Sequence, residues 1–440
     1  MTPTDRPMMA ESLDVYLYGA HVATVTRSRR TLRLRYTSEY VDGENPVPIS
    51  VQLPVVDGIA PPDLTTRFLE NLLPDRPDVR TRWAREAKLT DDSAFSLLSV
   101  YGADVSGALE FYPTGTTPRT DTGLAAISDA EIAERIRQIR ADDSDWLSRR
   151  PTEEGFSLGG AQGKFALAKR DGQWFEPTGL HPSTHIFKPG VDTLSGSDVT
   201  EHITMQVARR LGLTVADTQV GIFDGEHVLI VERFDRLAVD GENIRVHQED
   251  LAQATGTSYV SKYERDGGPG YRELFTVFDR NLTPTRAREA KQRLAECLTF
   301  SWIVGHNDGH AKNYSITHAP TESLLAPSYD LNTTLPFQLP EVVRAKDYHA
   351  YDGVRLAFAV EEADTIGAIG LSHLRTVERD AGLPPGYLED FATHVAVNIQ
   401  AAVADVVGTL PAALQRMPAV GLYPYATFAQ IARVRGVLAD

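Results

Sequence analysis

The chain has 440 residues, 42% hydrophobic and 24% charged, with a formal net charge of −16 and one cysteine. That length calls for two or three packed units rather than one core. The acidic balance excludes a protein that grips nucleic acid over a broad surface of its own, because phosphate contacts need cations.

The opening MTPTDRPMMAESLD is polar and lacks the apolar stretch of a secretory signal. No continuous apolar run of membrane-spanning length follows. Cys297, alone, cannot form an internal disulfide and reads as a buried helical residue. A cytoplasmic protein without membrane contact is expected.

LDVYLYG, AHVATVT and TLRLRYT read as strands over 13–36. Arg27, Arg29, Arg30, Arg33 and Arg35 crowd the last turn and strand, where alternation makes a solvated face the simplest reading and a small basic patch the other. After Pro61-Pro62, the segment DLTTRFLENLL carries Leu64, Phe68, Leu72 and Leu73 on one helical face, and Pro74 ends it. Two more helices are expected near 78–88 and 92–101, then the strand GALEFYP. A polar connector places the first boundary between 113 and 125. The helix SDAEIAERIRQIR follows, with Ser128 as N-cap and Glu131 completing a capping box.

From 155 to 235 strands dominate: KFALAKR, QWFEP, THIFKPG, VGIFDG and EHVLIVERF, interrupted by a helix over about 198–211. From 270 onward helices dominate, including TPTRAREAKQRLAECLTFSWIVG and the amphipathic LEDFATHVAVNIQAAVADVVGTL. A strand-rich lobe followed by a helical lobe is the layout of a eukaryotic-like kinase, although layout alone does not fix function.

Phosphoryl transfer needs a cation for the nucleotide phosphates, carboxylate or amide oxygens for Mg²⁺, and a carboxylate near the incoming hydroxyl. Asp308 and Asn313 in HNDGHAKN have the D-x-x-x-x-N spacing of a kinase catalytic loop. Asp330 in YDLN follows where a Mg²⁺ ligand belongs. His306, Asp308 and His310 are also residue types that ligate zinc, which leaves a metal hydrolase open at this point. THIFK ends an apolar strand in Lys188, with Glu201 thirteen residues later on the next helix, as in the Lys–Glu pair that kinases use to hold phosphates. SLGGAQGK, residues 157–164, is a small-residue loop entering a strand. Its glycine spacing is one short of a Walker A loop, and Phe165 occupies the Ser/Thr position.

These segments in order, SLGGAQGK, THIFKPG, LIVERFDR, HQED, NDGHAKN and YDLN, resemble the HipA toxin kinases. VYLYG, FLENLLPD and YGADVSGALEF resemble the small N-terminal domain of that family. The resemblance spans about residues 13 to 400. It implies an α+β fold, a two-lobed eukaryotic-like/PI-kinase-like protein kinase with a small α/β N-terminal subdomain and a mainly helical C-terminal lobe. The expected divisions are 1–120, 121–260 and 261–440.

The resemblance further implies ATP and Mg²⁺ as cofactors and a serine/threonine protein kinase activity. Asp308 matches the catalytic base, and Asn313 and Asp330 the Mg²⁺ ligands. Lys188 matches the phosphate-binding lysine. Gly159, Gly160, Ala161, Gln162, Gly163 and Lys164 match the loop over the phosphates. Glu232 and Phe234 match the adenine hinge, and Asp235 the carboxylate near the ribose. His310 and Lys312 fall near the phosphates, and Ser157 matches the autophosphorylated serine.

Two departures stand out. Gly163 replaces a common Glu, which is expected to loosen the loop and let Gly160 and Gly163 act as hinges. Gly309 replaces a common Arg, which removes a cation. The implied partners are a helix-turn-helix, HipB-like antitoxin and a protein substrate such as an aminoacyl-tRNA synthetase, with DNA reached only through the antitoxin. The alternative is an inactive kinase-like corepressor bound to that antitoxin.

Overall fold

The computed structural model describes residues 11–29, 31–116, 122–146, 159–239, 242–319, 322–338 and 351–439. Strand β1 (Ser12–Leu17) alternates half-buried and buried residues, and β3 (Thr31–Tyr36) alternates exposed and buried ones, so each offers one apolar face. With β2 (Ala20–Ser28) and β4 (Leu109–Pro113) they form an antiparallel sheet in the order β3-β2-β1-β4. Three helices, Pro62–Asn71, Pro77–Glu86 and Ala94–Tyr101, contribute Phe68, Trp83 and Leu98 to one core with Leu13, Val15 and Leu34 of that sheet. Proline in the first turn of two of these helices costs no hydrogen bond there. Arg33 and Arg35 lie on the exposed face of β3, while Arg27 pairs with Asp91.

A second sheet holds β5 (Thr122–Ala126), β6 (Phe165–Arg170), β7 (Gln173–Gly179), β8 (His185–Lys188), β9 (Thr218–Phe223) and β10 (Glu226–Glu232), in the order β5-β7-β6-β8-β10-β9. The helix Asp129–Ala141 lies against it through Ile132, Ile136 and Ile139, which share a core with Phe165, Phe187 and Ile230. Its capping box between Ser128 and Glu131 is present. Within the expected connector over 113–125 begins β5, which pairs antiparallel with β7 at the sheet edge. TGLAA carries no alternation, so the neighbouring strand supplies its structure rather than its own pattern.

Beyond the hairpin of β11 (Arg236–Val239) and β12 (Glu242–Arg245) comes a three-stranded sheet of β13 (His247–Asp250), β14 (Ser315–His318) and β15 (Ser323–Leu325). The remaining core is mainly helical. Pro284–Val304, Leu371–Ala381, Tyr387–Thr409 and Pro418–Ala439 share it with Ser197–Arg210, a helix that sits in the strand-rich part of the sequence. Val199, Ile203 and Val207 of that helix face the helical lobe, which ties the two lobes together beside the cleft. Tyr387–Thr409 is long and apolar enough to cross a membrane by length and composition. Its Leu388, Val395, Ile399 and Val403 are buried in the same core as Phe300 and Ile303. Cys297 is fully buried there, 3.8 Å from both the Tyr314 hydroxyl and the Ser328 Oγ, and burial raises its thiol pKa.

Candidate active site

Between the lobes lies a cleft of about 850 Å³, lined by the Gly159–Lys164 loop, β8, the end of β10 and the loops around Asp308 and Asp330. Lys188 closes β8, and four residues into the following helix Glu201 turns back toward it. The Lys188 ammonium donates to Glu201 Oε1 at 2.8 Å and to Asp330 Oδ1 at 2.7 Å. Burial alone would depress this lysine, but the two carboxylates outweigh it and hold it protonated. One cation shared by two buried carboxylates leaves an excess negative charge. Burial accordingly pushes Glu201 up, with Asp330 adding to the effect against the pull of Lys188. Asp330 is a non-glycine residue in the left-handed region, φ 61°, a conformation that costs energy and is held by its surroundings. The Ser328 N–H and C=O bond to Thr214 and Ala216 just upstream, which fixes that segment.

The loop carrying Asp308 begins where the helix Pro284–Val304 ends on Gly305, φ 71°, a left-handed helix terminus natural to glycine. The Asn313 amide nitrogen donates to the Asp308 carbonyl at 2.7 Å, leaving its side-chain oxygen available as an acceptor. The Tyr263 phenol donates to Asp308 Oδ1, and His310 Nε2 lies 3.9 Å from the same oxygen. Burial, with Lys262 nearby, pushes His310 down to about 4, so it is neutral at pH 7.

His306, Asp308 and His310 do not form a zinc site. His306 Nδ1 turns to Asn332 at 3.3 Å, and among the described residues no three His, Cys, Asp or Glu side chains are grouped to hold a metal. A Mg²⁺ ion carried with a nucleotide makes a smaller demand, one or two protein oxygens beside phosphate and water. The excess charge at Asp330 and the acceptor oxygen of Asn313 fit it.

On the opposite wall the loop Gly159–Lys164 enters β6. Gly160 has φ 105° and needs glycine. Lys164 donates to the Gly159 carbonyl at 2.7 Å, and Gln162 to that of Pro189 at 3.0 Å. Ala161 lines the cleft beside them. Burial, with Lys188 close by, lowers Lys164 to about 8. Gly163, expected to loosen this loop, is closely packed. A Cβ there would stand 2.5 Å from Ile139 Cγ2 and 3.3 Å from the Asp143 carbonyl, so close packing requires the missing side chain. Gly309 is similar, its absent Cβ lying 2.8 Å from His306 Nε2. Ser157 lies outside the described residues.

At the other end Ile186, Val231 and Phe234 form an apolar wall, with Phe234 stacked on Tyr329 at 5.5 Å. Glu232 lines the cleft at the end of β10. Asp235 and Lys312, expected near the ribose and the phosphates, line the cleft with their charges already paired to protein groups. Asp235 accepts from Arg233 (3.0 and 2.9 Å), from the Gly107 N–H (2.7 Å) and pairs with Arg236 at 3.1 Å, so four donors already hold its oxygens. Lys312 donates to Asn71 O, Asn71 Oδ1 and Asp250 Oδ2 at 2.8 to 3.0 Å, so it ties the catalytic loop to the N-terminal domain.

Sequence reading missed the other half of these contacts. Asp104 accepts from Arg236 at 2.7 Å and from Ser183, and Asp75 pairs with Lys262 at 2.8 Å. Both lie in segments, FLENLLPD and YGADVSGALEF, whose composition shows no reason to pair with residues so far along the chain. The nearest signal was an acidic residue beside each segment's apolar run.

The HipA N-terminal domain model matches residues 13–112, and the HipA-like C-terminal domain model residues 156–403. A putative kinase, Y4mE, of Sinorhizobium fredii is 29% identical over 91% of this chain and 92% of its own length. The serine/threonine-protein kinase toxin HipA of Shewanella oneidensis is 28% identical over 87% of this chain and 85% of its own. The solved complex of the Shewanella oneidensis HipA, HipB and operator DNA contains a chain that superposes with a TM-score of 0.79 at 26% identity, covering 97% of this chain and 98% of that one. The chain belongs to the HipA family and is a two-lobed serine/threonine protein kinase.

Proposed function

We propose that this kinase transfers the γ-phosphoryl group of ATP, bound with Mg²⁺, to a protein serine or threonine hydroxyl, as the toxin of a toxin–antitoxin pair. The observation that carries the reading is the Lys188–Glu201–Asp330 triad facing Asp308 across one cleft. Asp330 and the Asn313 side-chain oxygen would hold Mg²⁺, which when bound screens the phosphate charge. Lys188 and Lys164 supply cations to the phosphates under the backbone of Gly159–Lys164, and the Glu232–Phe234 backbone with Ile186 and Val231 holds the base. Asp308 accepts the proton of the acceptor hydroxyl as its oxygen bonds to phosphorus and ADP leaves.

Ser157, adjoining this loop, is the proposed autophosphorylation site. A phosphate there places about −1.5 to −2 charges beside the nucleotide and opposes its binding. Incubation with Mg·ATP followed by peptide mass spectrometry tests this, and phosphate found only elsewhere removes Ser157.

The partner is a small HipB-like helix-turn-helix antitoxin that carries the DNA contacts, consistent with a charge of −16 on this chain. The substrate class is a translation protein such as an aminoacyl-tRNA synthetase, in the cytoplasm. A phosphoproteome after brief induction, compared with an Asp308→Asn strain, tests substrate and activity together. A phosphate gained on a synthetase only in the active strain is expected. No difference between the strains overturns the kinase reading in favour of a corepressor.

A further inference from the structure

Tyr263 lies between two short 3₁₀ turns, outside every strand and helix that frames the cleft, and yet its hydroxyl reaches the carboxylate assigned as base. The ring is gripped on three sides. His310 meets it edge-on, centroids 4.8 Å apart at 86°, the Arg265 guanidinium lies 4.4 Å over one face, and the Lys262 ammonium is 5.7 Å from the centroid. Its backbone is anchored as well. The Lys262 carbonyl accepts from the Ala311 N–H of the catalytic loop at 3.4 Å, and the Lys262 side chain pairs with Asp75 of the N-terminal domain. Among the described residues the phenol has one hydrogen-bond partner, Asp308.

We propose that Tyr263 is a positioning residue for Asp308: its phenol holds one carboxylate oxygen, so that the other is the oxygen presented to the acceptor hydroxyl. This rests on Asp308 being the base. A carboxylate on a loop rotates about its Cβ–Cγ bond at little cost, and a rotated base misplaces the proton acceptor just where near-attack geometry matters. The phenol is a suitable latch because burial and the adjacent Asp308 keep it protonated, a donor at every working pH. His310, neutral and 3.9 Å from that oxygen, does not replace it.

The test is Tyr263→Phe in the purified full-length chain, measured as ADP release and phosphate incorporation with Mg·ATP. Phenylalanine keeps the ring contacts with His310 and Arg265 and removes only the donor. The expected result is kcat lower by about tenfold or more, the usual effect of a lost hydrogen bond to a charged group, with the KM for ATP unchanged. In an Asp308→Asn background the same change should have no further effect, since the two residues act as one unit. Wild-type kcat in Tyr263→Phe would overturn the proposal, leaving a packing role. A raised kcat would also overturn it, because the phenol would then be a plug occupying the acceptor's place. Full activity in Asp308→Asn alone would instead sink the assignment of the base, a result separate from either of these.

Discussion

The Asp75 N–H donates to the Gly160 carbonyl at 2.8 Å, so the N-terminal domain holds the Gly159–Lys164 loop at one wall of the cleft. The Asp75 side chain pairs with Lys262 at 2.8 Å and lies 3.8 Å from Lys312. One residue thus links the phosphate loop, the Tyr263 segment and the catalytic loop. Asp75→Asn keeps the backbone bond and removes the charge that Lys262 needs. The expected loss is about 3 kcal/mol of stability at pH 7, the usual cost of leaving a buried ion unpaired. Burial would raise Asp75, but Lys312, Lys262 and Lys164 outweigh it and hold it below the ordinary carboxylate range. The stabilisation is therefore complete above the unfolded value and is lost as pH falls through the lower folded one. Urea unfolding should show the gap between wild type and variant narrowing below about pH 4.

Lys188→Ala leaves Glu201 and Asp330 buried together without their cation, and Asp330→Ala removes the carboxylate assigned to Mg²⁺. Each loses a charge-assisted contact of about 1.5–3 kcal/mol, so calorimetric affinity for Mg·ATP should fall about tenfold or more in both. Asp330→Ala should also bind ATP without Mg²⁺ nearly as well as wild type does, because the carboxylate acts through the metal. Equal losses with and without Mg²⁺ would remove Asp330 from that role.

Asp308→Asn separates chemistry from binding. The amide keeps the shape and accepts no proton, so turnover should fall by about 10²–10⁴ while ATP affinity survives. Cells expressing the variant without antitoxin should grow. Growth arrest equal to wild type would show that toxicity does not come from phosphoryl transfer.

What the sequence made legible follows from range. Lys188 and Glu201 stand thirteen residues apart, one ending an apolar strand and the other in the second turn of the next helix, so local pattern was enough to pair them. Asp308 and Asn313 share one loop whose start is marked by Gly305. Asp104 and Arg236 are 132 residues apart, Asp75 and Lys262 are 187, and nothing in either neighbourhood encodes the other. The same blindness hid the partners of Asp235 and Lys312, both of which line the cleft. A motif showed which loop they belonged to, but not that Gly107 and Asn71 of the N-terminal domain would bond to them, beside Arg233 and Arg236 of Asp235's own segment. β5 was missed for a related reason, since its order comes from pairing with β7.

Lys164 should make nucleotide binding depend on pH in the alkaline range. Burial and the neighbouring Lys188 lower it to about 8, so it is charged below that value and loses its proton as pH rises through it. Bound phosphate favours the charged form, and binding at about pH 9 should therefore take up a proton. The calorimetric enthalpy should then vary with the ionisation enthalpy of the buffer, and affinity should be several-fold weaker than at neutral pH. Lys164→Met should bind more weakly at every pH and lose both dependences. An unaltered buffer dependence in the variant would assign the proton to another group.

The two glycines that depart from the family pattern are expected to resist being restored. Gly163→Glu would bring a Cβ to 2.5 Å from Ile139 Cγ2, a methyl on a β-branched and helical residue with little rotameric freedom, and to 3.3 Å from the Asp143 carbonyl. Neither neighbour yields cheaply, and overpacking of this kind costs about 1–3 kcal/mol. Ile139 belongs to the core under the phosphate loop, so the strain should appear in ATP affinity as well as in the unfolding midpoint. Gly309→Arg places its Cβ 2.8 Å from His306 Nε2 and 3.2 Å from the Tyr314 hydroxyl, and should lower kcat rather than raise it through the added cation. Paired replacement should separate crowding from charge. In Ile139→Ala, which opens space at the first site, Gly163→Glu should cost less than in the parent. If both family-like substitutions instead stabilise the protein and speed turnover in the parent background, the close packing at Gly163 and Gly309 does not constrain the site.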